Sequence, residues 1–343
     1  MIIEKRCLMS VESVEKNFHL NLEAIELLQN ALTTSFFEAY LEQVGNILDG
    51  YNVQVISDVP DAETVEKLQA IYRELKAEKL EPEDIRKLAQ LLLLKGTQNE
   101  PVQANHQLTP DSIGFLFVYL IAQFYTDKKE PLTILDVGVG TGNLLFTLLT
   151  NLKLSGYEAR GIGIDNDELL IEIAAANNQW MNTQATLSHQ DALQQELPDV
   201  VDVAVSDLPV GYYPVDSIAY PFAMASKQGH SYAHHLLVEQ AMKQVRQNGY
   251  GFFLLPSNFL DSEQSEYFKN WLGKTAYLQG IIQLPDELFK NETSRKSIVI
   301  LQNKGTLAKQ ADKILVAQLA SLKDPQIINH FFKEVTDWKQ KNF

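Results

Sequence analysis

Three acids and three glycines, set along one stretch of the chain, have the chemistry of a ligand site. In "ILDVGVGTGNLL", residues 134–145, Asp136 precedes Gly138, Gly140 and Gly142, and Asn143 follows the last of them. Glycines between a strand and a helix let the backbone approach a bound group closely, and the helix N-terminus adds unpaired N–H donors. Asp165, with Asn166 behind it, ends the next β-rich run, "GIGIDND", and Asp191, with Ala192, follows a third, "QATLSHQDAL". An acid at the tip of a second strand can accept both hydroxyls of a ribose, and an acid beside the loop can face an amino group. Asp is also a favoured helix N-cap, the plain alternative for Asp165 or Asp191 taken singly.

The spacing selects among nucleotide-like ligands. A dinucleotide fingerprint needs a glycine at its sixth place, where this chain has Asn143, and a phosphate-cradling loop needs a Gly-Lys-Ser/Thr ending that is missing here. A nicotinamide-dependent oxidoreductase is therefore disfavoured. The acids in this order suit S-adenosylmethionine, with a cationic amino acid end for Asp136, an unphosphorylated ribose for Asp165 and an adenine amine for Asp191.

These residues need a parallel sheet to hold them. From about Pro131, short β-rich runs alternate with helical patterns: "LTILDVG", "EARGIGID", "QATLSHQD", "DVVDVAVSD", "YGFFLLP", "LQGIIQLP" and "SIVILQN". Strands separated by helices imply right-handed crossovers and a mostly parallel sheet covered on both faces. The link between "LQGIIQLP" and "SIVILQN" has little helical pattern, so that pair is expected to be antiparallel at one edge. A last strand "KILVAQLA" and a helix "DPQIINHFFKEVTDWKQKN" follow. Before the sheet, residues 10–100 carry apolar positions at three- and four-residue spacing, with Pro82 opening one helix, so an all-helical N-terminal domain is expected. The expected division is a helical domain over 1–104, a ligand-binding α/β domain over 105–320 and a C-terminal helix over 321–343 packed on it.

Composition narrows the partners. Lys and Arg total 29 against 44 Asp and Glu, a net charge of −15, and that field opposes the phosphate backbone of nucleic acid unless a groove or a partner supplies local positive charge. Cys7 is the single cysteine, so no internal disulfide can form, and no run approaches the ~18 apolar residues of a membrane span. The chain reads as cytoplasmic and not membrane-bound; its oligomeric state is left open.

The ordered motifs "TILDVGVGTGNLL", "GIGID", "HQDAL" and "SDLPVGYYP" resemble a class I methyltransferase, specifically the adenine-N6 DNA methylase group related to type I modification subunits. "NHQLTPDSIGFLFVYLIAQF" resembles that group's "TP" cofactor motif, and "GYGFFLLPSNFL" and "LQGIIQLPDELF" resemble two later segments. The resemblance spans residues 105–305, and within the group the chain looks closest to short YtxK-type methylases without a separate target-recognition domain. It implies a Rossmann-like, mostly parallel seven-stranded sheet with an antiparallel edge pair. It also implies S-adenosylmethionine as cofactor, with Thr109 at its methionine end, Asp165 at the ribose and Asp191 at the adenine.

The group's reaction centre is Asn/Asp/Ser-Pro-Pro-Tyr/Phe after the fourth strand. Its first side chain and next carbonyl accept hydrogen bonds from the target amine, localising the lone pair that attacks the methyl group. Here the register reads Asp207, Leu208, Pro209, Val210. The acceptors and one proline are kept, while Leu208 loses the stiff φ of proline and Val210 replaces the ring that would stack on the base. Tyr212 or Tyr213 could supply that ring, and Tyr212 is taken as the candidate. His230, His234 and His235 lie in the loop 211–235 and the helix it enters. Their spacing does not suit a metal, and none is expected.

The resemblance thus points to an S-adenosylmethionine-dependent transferase acting on an amino nitrogen, by default adenine N6 in DNA, with RNA ranked below DNA and with help from a protein partner. The alternatives are a cofactor-binding interaction module with a degenerate catalytic turn, and a methyltransferase for RNA or protein glutamine.

Overall fold

The computed structural model describes residues 2–100, 107–194, 197 and 200–343. Helices α1 (Ile2–Leu32), α2 (Phe36–Leu48), α3 (Ala62–Ala77) and α4 (Pro82–Asn99) come first. Their starts are marked by local chemistry. Ser35 and Glu38 form a reciprocal capping box on α2, Asp61 caps α3, and Pro82 occupies the first turn of α4, where no N–H is needed. Their apolar faces meet in a core that includes Ile25, Leu28, Phe36, Tyr40, Leu68 and Leu92.

Helix α5 (Asp111–Phe124) leads into the α/β part: β1 (Leu132–Asp136), α6 (Asn143–Leu154), β2 (Ala159–Asp165), α7 (Glu168–Met181), β3 (Ala185–His189) and β4 (Val201–Asp207). There follow the short α8 (Asp216–Ala219), α9 (Ala233–Gln244), β5 (Val245–Pro256), α10 (Ser265–Thr275), β6 (Ala276–Gln283), β7 (Lys296–Asn303), β8 (Leu315–Gln318) and α11 (Pro325–Asn342). The sheet order is β3-β2-β1-β4-β5-β7-β6-β8, with β7 antiparallel to both β5 and β6 and the other pairs parallel.

The expected seven strands are present, and the "KILVAQLA" strand adds an eighth outside β6. Leu315 and Ala317 of β8 are buried while Val316 is exposed, so this strand covers what would otherwise be the open edge of β6. Side chains alternate between the two faces, Phe252 and Leu254 packing with α5 and α6, and Phe253 and Leu255 with α9 and α10. Phe331, Val335 and Trp338 of α11 are buried in the first of these layers.

The helical part is packed onto the sheet layer. α2 lies against α7, and α4 against α6 and α7, while Ile173 of α7 is buried within the N-terminal core. Tyr40 donates to Asn177 Oδ1 at 2.5 Å. The buried Arg86 guanidinium makes one two-bond fork to Glu83 and another to Asp111, each bond 2.8 Å long, and donates to Thr147 Oγ1 at 3.1 Å. Arg86 thereby ties α4 to the first turn of α5 and to α6.

Strand order reverses between β1 and β4: β1 is followed outward by β2 and β3 on one side, and β4 lies on the other. In open α/β sheets such a switch point leaves a crevice beyond the C-terminal ends of the strands.

Candidate active site

A cleft of about 1090 Å³ lies at that switch point. Its walls include Thr109, Asp136, Gly138, Gly140, Asn143, Asp165, Asn166, Asp191, Ala192, Asp207, Pro209 and Tyr212. Chain positions as far apart as 109 and 212 thus share one cavity because β1, β2, β3 and β4 all end on the same edge of the sheet. Gly142 and Leu208 lie just behind this lining. The first two residues of the "NHQLTPDS" segment lie outside the described residues.

The glycine loop takes its shape from two left-handed residues. Gly140 has φ +53°, and a Cβ built there would point into open space at the cleft. Gly142 has φ +84° and caps α6 directly above the Phe146 ring, which a Cβ would overlap. Both conformations cost an L side chain strain that glycine avoids.

Asp136 is buried at the base of the loop. Its Oδ1 accepts from Ser206 Oγ at 2.6 Å and from the Gly138 N–H at 3.2 Å. Burial pushes its pKa up to about 7; these two hydrogen bonds pull it down, and the nearby Asp165 and Asp207 charges add to the rise.

Asp165 accepts from Gly140 N–H at 2.7 Å and from Asp167 N–H at 3.0 Å. The N-cap of α7 is Asp167, whose side chain accepts from Leu170 N–H, so capping does not account for Asp165. Asn166 presents its carbonyl to His189 Nε2 at 3.2 Å. Asp191 closes a turn by accepting from Leu193 N–H at 2.9 Å, and it also accepts from Tyr213 Oη and Gln194 Nε2, each at 2.7 Å. The Ala192 carbonyl accepts from Gln240 on α9, anchoring this wall of the cleft.

Thr109 draws the elements together. Its hydroxyl donates to Asp207 Oδ2 at 2.9 Å, and its carbonyl accepts from Asn143 Nδ2 at 2.5 Å. The "TP" turn is thus bonded both to the helix after the glycine loop and to the turn after β4. Asp111, two residues on, is the anchor held by Arg86.

At the turn after β4, Leu208 is completely buried in the core layer of α9 and α10. Val210 borders the cleft at 38% exposure. The two tyrosines separate. Both border the cleft, but Tyr213 is buried and donates to Asp191, whereas Tyr212 is 54% exposed and stacks on Tyr232 with ring centroids 5.0 Å apart.

Of the cleft residues beyond those picked out from the sequence, Phe289 and Lys296 carry groups that bear on its chemistry. Phe289, between β6 and β7, adds an aromatic ring to the cavity wall. Lys296, at the start of β7, donates to Asp207 Oδ1 at 2.5 Å and to the Leu208 carbonyl at 3.0 Å. Phe289 is the last residue of "LQGIIQLPDELF". For Lys296 the usable signal is topological: an antiparallel strand begins on the edge where its parallel neighbours end, and Lys296 pairs with Pro256 at the end of β5.

His234 and His235 are buried on α9, and burial lowers their pKa values to about 3 and about 4, with Lys296 a lesser contributor at His234. Among the described residues no group of three or more His, Cys, Asp or Glu side chains is placed to hold a metal, and no helix is long and apolar enough to cross a membrane.

The donor set fits a cationic nucleoside. Asp136, Asp165 and Asp207 share one cavity; burial, with a smaller contribution from the other two charges, raises the pKa of Asp136, and a positively charged ligand would favour its ionised form. The glycine loop supplies the close backbone approach, and Asp165 places on the cleft wall a carboxylate, the acceptor that ribose hydroxyls need.

Comparison with known proteins agrees with this geometry. A profile for N-6 DNA Methylase matches residues 83–333, and one for the YtxK N-terminal helical domain matches residues 15–97. The chain is 36% identical over 333 residues to the uncharacterized protein YtxK of Bacillus subtilis, covering 97% of this chain and 99% of that one. The crystal structure of a Listeria monocytogenes protein assigned to the class I S-adenosylmethionine-dependent methyltransferases superposes with a TM-score of 0.88 at 38% identity, covering 95% of this chain and 99% of that one. The methyltransferase subunit of a type I restriction-modification system from Streptococcus thermophilus shares the fold, with a TM-score of 0.66 at 15% identity over 92% of this chain and 73% of that one. With the glycine loop, the acidic cleft and the two-part architecture in place, the chain belongs to the N-6 DNA methylase family of class I S-adenosylmethionine-dependent methyltransferases, with a YtxK-type helical domain at its N-terminus.

Proposed function

We propose that this chain transfers a methyl group from S-adenosylmethionine to an amino nitrogen, by family precedent N6 of adenine in DNA, and that it works in the cytoplasm. One observation carries the reading: the Asp207 carboxylate and the Leu208 carbonyl converge on a single nitrogen, that of Lys296, at 2.5 and 3.0 Å. The altered tetrapeptide therefore still presents a side-chain acceptor and a backbone acceptor to one amine.

The cofactor, when bound, supplies an electrophilic methyl group. Asp136 balances its cationic end, Asp165 accepts from its ribose, Asp191 faces its adenine, and Asn143 and the glycine loop shape the wall. Asp207 and the Leu208 carbonyl accept the two N–H bonds of the target amine, which turns the nitrogen lone pair out of conjugation; Thr109 fixes Asp207 through its other oxygen. Pro209 stiffens the turn. Tyr212 and Phe289 are the cleft rings available to hold a planar base where Val210 offers none.

The charge of −15 and the nearly balanced rim segment 286–296, where Arg295 is already paired with Asp286 and Glu292, support a need for a protein partner in binding nucleic acid. A cofactor-binding interaction module is the second reading, favoured by Val210 and by an amine site already filled from within.

Label transfer from methyl-labelled S-adenosylmethionine into duplex DNA, single-stranded DNA, RNA and cell protein tests both. The expected result is label in an adenine-containing fraction, reduced at least about a hundredfold by Asp207→Ala with cofactor affinity within about twofold of the original. Undiminished transfer by that variant refutes the role of Asp207. Cofactor binding without label in any fraction establishes the interaction module instead.

A further inference from the structure

Lys296 has no part in the transfer described above, yet it takes both acceptors on which that transfer depends. Its side chain is about one-fifth exposed and that of Asp207 about one-quarter, so the pair sits in the mouth of the cleft rather than on open surface. The second oxygen of Asp207 is held by Thr109, which leaves Oδ1 beside the Leu208 carbonyl, and the ammonium of Lys296, itself a residue of the cleft wall, spans that pair. A protonated amine has no lone pair, so Lys296 in this position accepts no methyl group. A target amine reaches Asp207 only by displacing it.

The displaced ammonium loses two charge-assisted hydrogen bonds and must regain partners. A purine amine or a carboxamide offers one, because a ring nitrogen or a carbonyl oxygen stands two bonds from its amine nitrogen.

We propose that Lys296 is a specificity-determining residue of the amine site: it fills the two acceptors from within and yields them to a planar amine that carries an adjoining acceptor. This rests on the reading of Asp207 and the Leu208 carbonyl as amine acceptors.

The test titrates adenosine into the S-adenosylhomocysteine-loaded full chain. The forms compared are the original protein, Lys296→Met, Lys296→Gln and the double variant Lys296→Met/Asp207→Ala, each checked for folding by thermal melting. Removing the ammonium is expected to tighten adenosine binding at least about tenfold in Lys296→Met and by less in Lys296→Gln, whose carboxamide can refill the two acceptors, and the gain of Lys296→Met is lost in the double variant. In the original protein, saturating adenosine raises acetylation of Lys296 by an N-hydroxysuccinimide ester several-fold, read by mass spectrometry, while the exposed Lys79 reacts unchanged. Equal affinity in the original and both single variants, or Lys296 acetylation indifferent to bound adenosine, overturns the role of Lys296 and leaves the amine site standing. Tight binding that survives Asp207→Ala overturns the amine-site reading itself. Failure of both open variants to bind adenosine overturns the two together.

Discussion

Replacing Asp136 with Asn isolates the charge of the buried acid from its hydrogen bonds. Both contacts, from Ser206 Oγ and from Gly138 N–H, are made to Oδ1, so an Asn carbonyl placed there keeps them and only the charge is lost. The folded-state pKa of Asp136 is raised from 3.8 to about 7, chiefly by burial. A raised pKa means that this acid adds its full share of stability below about pH 4 and loses it as pH climbs toward 7, because the folded chain holds a proton that the unfolded chain has released. The gap corresponds to a cost on the order of 4 kcal/mol once Asp136 is fully ionised in the ligand-free fold. Less than half of that cost is already present at pH 5, so the stability advantage of Asp136→Asn should widen by roughly 2–3 kcal/mol between pH 5 and pH 8. Urea denaturation of both ligand-free proteins at the two pH values measures it. An advantage that changes by less than about 0.5 kcal/mol, within ordinary surface effects, refutes the argument. The same linkage makes S-adenosylmethionine binding release a proton near pH 7. Affinity in the original protein should rise with pH by at most tenfold per pH unit, and Asp136→Asn should flatten that rise.

Removing the guanidinium with Arg86→Met should cost about 3 kcal/mol, because Glu83 and Asp111 lose their common cation, and a second change, Asp111→Asn, should recover part of it; a melting temperature within a degree of the original would refute the pairing. Gly142→Ala should destabilise by roughly 2–4 kcal/mol, since it combines a left-handed backbone with overlap on the Phe146 ring. A loss below about 0.5 kcal/mol in chemical denaturation would show that the loop adapts.

Much of the architecture is legible in the residues. β1 and β4 are short apolar runs buried on both faces, as central parallel strands must be, and the glycine loop announces its turn because the left-handed φ values at Gly140 and Gly142 admit little else. The N-terminal helices are legible through their caps and apolar spacing. β3, whose residues are only half buried, and the four-residue β8 are legible as short β-rich runs, but their places at the two edges of the sheet are not. The tie from Arg86 to Asp111 and Thr147 has no local signal, because a buried arginine looks like any surface arginine until its partners fold against it.

The sequence by itself determined which groups are available to the site: acids at or just after the ends of the first three strands, a glycine loop without lysine, and a turn after the fourth strand with acceptors and no ring at Val210. Tertiary structure decided which way they face. Tyr212 and Tyr213 are neighbours in the chain and both border the cleft, but extended backbone bridged to Tyr232 sends successive side chains to opposite sides, so Tyr212 is exposed and stacks on Tyr232 while Tyr213 is buried and bonds to Asp191. Lys296 and Asp207, 89 residues apart, meet because β7 runs against its neighbours and starts where β4 and β5 end. No spacing along the chain encodes that meeting; it is a consequence of strand direction.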